Sequence, residues 1–283
     1  MRNTILIVVL IFTFSSSKLS AQQLPYSKPS DTARTWELLR YDLKTAFHSV
    51  KHSFTRPAHW KQKDFTKLGA LLVGTVALSA VDEEANRFFA RQEPHVPKII
   101  KDFGWYVGNP QNYFTASAGI YGFGLFTKNE KIRKTGILII SSSFTTGILQ
   151  SIGKTGIGRA RPTAKIGSAA FDPFSKASKY HSFPSGHTVL SITMAHAIAK
   201  QFDNTWSKIT VYTLGSIAPI SRLLDGAHWL TDVTFSTALS IIVVDGIDKF
   251  LFNSNAYDYP KKEKSIAWNF TFSPNQIGVI GTF

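Results

Sequence analysis

Between residues 66 and 250 the chain is built from six apolar stretches, at 68–81, 113–127, 132–153, 185–202, 209–221 and 229–250. They read as helices, and their Gly, Ala, Ser and Thr content lets neighbouring helices approach closely. Short connections favour antiparallel neighbours. The expected fold is therefore all-α, an antiparallel six-helix core bundle over residues 66–250.

The flanks differ in kind. Met1-Arg2-Asn3 is a short positive start, residues 5–14 are an unbroken apolar run, and residues 15–21 are small and polar, ending at Ala21. Residues 1–21 read as a secretory signal peptide, too short to span a bilayer. Residues 22–65 hold a polar linker and an amphipathic basic helix. There Trp36, Leu39, Leu43, Phe47 and Val50 recur at three- and four-residue spacing among Arg40, Lys44 and Lys51, behind an N-cap at Ser30 or Asp31. Such a helix suits a protein surface or a membrane interface. In the tail, 251–283, Ile266, Trp268, Phe270 and Phe272 alternate with Ala267, Asn269 and Thr271, and Ser273-Pro274-Asn275-Gln276 supplies a turn. This predicts a small C-terminal β-hairpin.

Charge narrows the partners. The 283 residues carry 32 Lys and Arg against 18 Asp and Glu, a net +14, and no cysteine. Disulfides, thiolate metal sites and cysteine nucleophiles are excluded. A +14 excess calls for an anion: nucleic acid, an acidic membrane surface or a phosphorylated substrate. Export argues against nucleic acid.

Three polar clusters lie where apolar stretches begin or end: Lys154 to Arg161-Pro162 after the third, Pro184-Ser185-Gly186-His187 opening the fourth, and Ser221-Arg222 closing the fifth. His228 and Asp232 follow, at the start of the sixth. In an antiparallel bundle all of these share one face. Lys154, Arg161 and Arg222 offer cations, and guanidinium forks match phosphate oxygens. Ser185, Gly186 and His187 open a helix, whose free N–H groups and dipole attract an anion. His228 and Asp232 stand one turn apart at i and i+4, so the carboxylate can hold one ring nitrogen protonated and direct the other at phosphorus. His187 supplies a second imidazole able to protonate a departing oxygen.

Lys154-x6-Arg161-Pro162, Pro184-Ser185-Gly186-His187 and Ser221-Arg222-x5-His228-x3-Asp232 resemble the three-part signature of the type 2 phosphatidate phosphatase superfamily. That superfamily includes lipid phosphate phosphatases, undecaprenyl pyrophosphate phosphatases, secreted bacterial acid phosphatases and vanadium haloperoxidases. The resemblance implies His228 as nucleophile forming a phosphohistidine, Asp232 orienting it, and His187 as general acid and later base. It implies Lys154, Arg161, Ser185, Gly186 and Arg222 as phosphate ligands, and neither metal nor other cofactor. The expected activity is a phosphatase acting on a terminal phosphate or pyrophosphate of a lipid, such as phosphatidate, an isoprenoid pyrophosphate or lipid A. The alternatives are an acid phosphatase of soluble esters and a vanadate-dependent haloperoxidase.

Other features weigh less. His181 and Asp225 lie near the site but outside the signature, and His48, His52, His59, His95 and His196 show no metal-ligand spacing. Phe88, Phe89, Phe103, Trp105 and Tyr106 fall in the connection 82–112, where they suit either core packing or a lipid-chain pocket. Only the third stretch contains eighteen or more residues without a charge. Two placements follow: a periplasmic body resting on the membrane through its basic helix, or six short spanning helices. Cleavage of residues 1–21 ahead of a spanning first helix would carry the site into the cytoplasm. The Lys and Arg of the N-terminal region, of 128–134 and of 261–264 put it outside instead. The expectation is an envelope protein with a periplasm-facing site.

Overall fold

The computed structural model of the protein describes residues 24–30, 33–258, 267–273 and 276–282. The expected signal segment lies outside the described residues. Helix α1 covers Thr35–Thr55 and opens where Glu37 accepts the Arg34 N–H at 2.9 Å, beyond the expected caps. Helices α2 (Gln62–Leu78) and α3 (Asp82–Gln92) are joined by a single 3-10 turn, Ser79–Val81. Then come α4 (Lys98–Gly108), α5 (Pro110–Phe126), α6 (Glu130–Ile157), α7 (Gly186–Ala199), α8 (Thr205–Leu224) and α9 (Leu230–Asn253). Strands β1 (Ala267–Ser273) and β2 (Gln276–Thr282) pair antiparallel, with Ser273 opposite Gln276.

The six-helix expectation is corrected in two ways. The connection 82–112 is itself helical, and α4 enters the bundle against α7 and α8. Its glycines make this possible: a Cβ on Gly104 would lie 2.5 Å from Ser221 Oγ, and one on Gly108 would lie 2.6 Å from His187 Cβ. Short length and polar ends hid α4 in the sequence. Conversely α2, the first apolar stretch, buries none of its residues and leans on α9. The main core is gathered from α5, α6, α7 and α9, around Tyr113, Ile137, Leu138, Ile139, Val244 and Leu251.

Helix α1 packs with its polar side inward. Trp36, Leu43 and Phe47 are exposed, while Tyr41, Asp42, Thr45 and Ser49 are buried against the bundle. Thr45 and Ser49 hydroxyls satisfy themselves on the carbonyls four residues back, at 2.9 and 2.8 Å. Asp42 takes the Arg133 guanidinium bidentately, both bonds 2.8 Å, and accepts the hydroxyls of Tyr121 and Tyr257 at 2.9 Å. The exposed side mixes these apolar residues with Glu37, Arg40 and Lys44, the composition of a helix at a membrane interface.

Three helical runs are long and apolar enough to cross a membrane: Gln62–His95, Glu130–Ile157 and Leu230–Asn253. With the outward stripe of α1, they make this a membrane-associated protein. Among the described residues Asp42 is the one carboxylate bonded to Arg133, so removing it strands a buried cation. Asp42→Ala is expected to cost about 3–5 kcal/mol, read as a lower thermal unfolding midpoint of the purified protein in detergent.

Candidate active site

Gly158 adopts a left-handed φ of 59° that ends α6, and its N–H returns to Lys154 O at 3.1 Å. A Cβ there would overlap the Asp172 carbonyl. The chain then runs extended through Arg159 to Arg161, held by Ala160 N–H on Ala170 O (2.9 Å), Arg161 N–H on Lys179 O (2.8 Å) and Ser182 N–H on Arg159 O (3.0 Å). The Trp229 indole donates to Ala160 O at 2.7 Å, tying this segment to the start of α9.

This framework draws the predicted cations together. Lys154 Nζ donates to His181 O at 2.6 Å, and Arg161 reaches the same oxygen at 3.3 Å. The remaining Arg161 nitrogens meet the Ser178 and Ala227 carbonyls, at 3.1 and 3.2 Å. Among the described residues neither cation forms a salt bridge to a carboxylate. Arg222, 7% exposed, is paired with Asp225 at 2.7 Å. Burial pushes the pKa values of Arg161 and Arg222 down. Buried cations without full neutralisation favour an anionic ligand.

Ser185 caps α7 in extended conformation, its N–H on Ser236 Oγ at 2.8 Å and its Oγ accepting from Thr188 at 2.9 Å. Gly186 is the first helical residue, and a Cβ on it would meet the Gln150 side-chain amide at 3.2 Å. His187 follows in the first turn, its buried Nε2 without a hydrogen-bond partner. Burial first, then the charges of Arg222, His228, Arg161 and Lys154, lower the His187 pKa to about 4. That these four act on one imidazole places all three clusters at a single site.

His228 differs from its expected arrangement. It is 4% exposed, and its Nδ1 lies 2.7 Å from the Ser182 carbonyl, whereas the nearest Asp232 oxygen is 3.7 Å away. Facing a carbonyl oxygen, Nδ1 carries the proton, so Nε2 holds the lone pair. Burial lowers the His228 pKa to about 4 against the opposing pull of Asp232. Asp232 is fully buried and accepts from Ser182 Oγ, from the Trp229 N–H (2.8 Å) and from Arg159 (2.8 Å). It thereby orients the loop that orients His228. Of the two neighbours outside the signature, Asp225 pairs with Arg222, and the His181 ring bonds to Ser175 O at 2.9 Å.

Sequence reasoning passed over Arg159, Ser182 and Asp82. Arg159 occupies an unassigned position between Lys154 and Arg161, and Asp82 opens an acidic triplet that ends the first apolar stretch of a basic chain. An apolar cavity of about 210 Å³ lies between α3, α4 and α8, lined by Phe88, Phe89, Ile100, Ile217, Ile220 and Leu224 and reaching Ser221.

The model described as the PAP2 superfamily matches residues 135–255. A curated relative, "Lipid A 1-phosphatase" of Porphyromonas gingivalis, is 28% identical over 130 residues, which cover 45% of this chain and 26% of the relative. The chain thus spans about a quarter of that relative's length. Two solved structures align: LpxE of Aquifex aeolicus, with 19% identity and TM-score 0.47 over 60% of this chain and 95% of that one, and a transmembrane PAP2 type phosphatidylglycerolphosphate phosphatase of Bacillus subtilis, with 20% identity and TM-score 0.48 over 64% and 94%.

The depressed pKa of His187 makes anion binding proton-linked. A bound dianion raises the imidazole pKa, so the protein takes up a proton wherever pH lies above about 4 and below the raised value. Calorimetric titration with sulfate at pH 6, in buffers of differing ionisation enthalpy, is expected to report net proton uptake. His187→Asn is expected to remove most of it.

Proposed function

The chain carries a PAP2 superfamily domain, and on that premise we propose that it is a metal-independent phosphatase. Its substrate is a lipid bearing a terminal phosphate or pyrophosphate, of the phosphatidate, isoprenoid pyrophosphate or lipid A type. The observation that carries this reading is the neutral His228, its Nδ1 fixed on Ser182 O, beside Lys154 and Arg161, which among the described residues meet carbonyls and no carboxylate. The lone pair of His228 Nε2 attacks phosphorus, forming a P–N bond as the P–O bond to the lipid breaks. His187, protonated in the complex, gives its proton to the departing oxygen. Water then attacks phosphorus, its proton passes to His187, and the P–N electron pair returns to His228 as phosphate leaves.

Lys154, Arg161, Arg222 and the N-terminus of α7 at Ser185 and Gly186 hold the phosphoryl oxygens through the transition state, where charge builds on them. In this reading Arg222 exchanges Asp225 for the substrate. The apolar cavity reaching Ser221, next to Arg222, accepts an acyl or isoprenoid chain. The name of the Porphyromonas gingivalis relative supports a phosphorylated lipid. An outward-facing site is supported by the basic end: α1 packs against the first half of α6 and the last turns of α9, far from the reaction centre.

The deciding experiment measures phosphate release from phosphatidate, an isoprenoid pyrophosphate, lipid A and a soluble aryl phosphate in EDTA, beside His228→Ala. Hydrolysis of a lipid substrate in EDTA is expected, with His228→Ala at least about 10³-fold slower. Activity that needs a divalent ion, or that survives loss of His228, overturns the mechanism. Preference for the aryl phosphate overturns the lipid assignment, and vanadate-dependent halide oxidation assigns the site to peroxidase chemistry.

A further inference from the structure

Arg159 is 5% exposed and lies between two fully buried carboxylates. Its NH1 donates to Asp232 at 2.8 Å and to Thr231 Oγ1 at 2.6 Å, and its NH2 donates to Asp82 at 2.6 Å. Asp82 also accepts the Thr231 N–H at 2.9 Å and the Thr231 hydroxyl at 2.6 Å. Asp82 therefore holds both the guanidinium that grips Asp232 and the first turn of α9. It is the first residue of α3, the continuation of the exposed apolar run that begins at α2. Next to it, Glu83 accepts the Ser168 N–H at 2.7 Å, fixing the loop whose carbonyl at Ser168 receives Arg159 Nε at 2.9 Å.

We infer that Asp82, acting through Arg159, is a positioning residue for the His228 nucleophile, delivered to the back of the site by the helix that continues the exposed apolar run of α2. The inference rests on the phosphatase reading above. Two carboxylates around one guanidinium leave the buried cluster with one net negative charge, and that charge lies behind an imidazole faced mostly by cations. Those groups are Lys154 from α6, Arg161 from the extended loop and His187 from α7, with Arg222 of α8 beyond His187 and Asp232, in the first turn of α9, as the carboxylate among them. Removing the Asp82 charge lets Arg159 neutralise Asp232 fully. His228 then sits in a more positive field and becomes a weaker nucleophile, harder to protonate.

Asp82→Asn keeps the side chain's shape and removes its charge. Measured with the best substrate, kcat is expected to fall about tenfold or more with KM changed less than about threefold, since the phosphate ligands are untouched. The acid limb of kcat/KM, which reports His228 in the free enzyme, is expected to move down by about half a pH unit. A second variant covers loss of folding: Thr231→Val removes only the hydroxyl shared by Asp82 and Arg159, and is expected to lower kcat severalfold with the acid limb unmoved. Wild-type kcat in both variants, or an unshifted limb in a folded Asp82→Asn protein, overturns the inference. If His228→Ala is inactive in the same assay, that failure is confined to Asp82, whereas an active His228→Ala fails the phosphatase mechanism itself.

Discussion

A guanidinium buried between two carboxylates fixes where the candidate site stands. Arg159 is removed from water together with Asp82 and Asp232, and desolvating three charges is tolerable only with near-complete hydrogen bonding. That requirement is met by Thr231, Ser182, the Trp229 N–H and the Ser168 carbonyl, each of which is thereby held in place. The extended segment 159–161 cannot slide without breaking the cluster. Hence Arg161, two residues on, is aimed at the carbonyls of 178 and 181, and the Ser182 carbonyl stands within hydrogen-bond distance of His228 Nδ1. The link from Asp232 to His228 runs through a loop and not directly, which is stricter, since it sets both the tautomer and the ring's position.

The periphery obeys the opposite solvent rule. In α1 the Asp42 cluster and the hydroxyls of Thr45 and Ser49 lie inside, while Trp36, Leu43 and Phe47 lie outside. In α6, Ser141 to Ser143, Thr145 and Thr146 are buried and Phe144, Ile148 and Ile152 are exposed. Against lipid this costs nothing, because hydrocarbon is as good a solvent for these side chains as a protein interior. A mean hydropathy of −0.02 averages the polar interior with the apolar exterior, so it says little about membrane contact.

The convergence of the candidate residues was legible in the sequence because motif spacing and chain direction suffice for it. Lys154, Arg161, Ser185, His187, Arg222 and His228 each sit at a helix end, and antiparallel packing brings alternate ends together whatever the details of the core. The six strongest apolar stretches are all helical, yet their apolarity does not report which of them form the bundle. Helix α2 is apolar yet buries none of its residues, and α4 is packed because Gly104 and Gly108 have no side chain to keep it away. In α1 the recurrence of Trp36, Leu43 and Phe47 has helical period, but a period cannot say whether its stripe faces a core or a bilayer. Asp82 was illegible for a different reason: its partner Arg159 is 77 residues away, and no local pattern couples them.

In the proposed mechanism His228 is the nucleophile, and the electrostatics of the site bear on how it can be. A nucleophilic imidazole must be neutral, and burial beside several cations holds His228 so, with a pKa of about 4. The same cations depress His187, which the proposed mechanism requires to be protonated when the substrate oxygen departs. The two demands conflict in the free protein and are reconciled only by the ligand. In the proposed complex a phosphate dianion touching Lys154, Arg161 and Arg222 cancels their field at His187. His228 stays tied to Ser182 O through Nδ1, its lone pair committed to phosphorus. Asp225 gives Arg222 a carboxylate before substrate arrives, so the cation is never wholly unpaired, at the cost of a competitor that the substrate phosphate must displace.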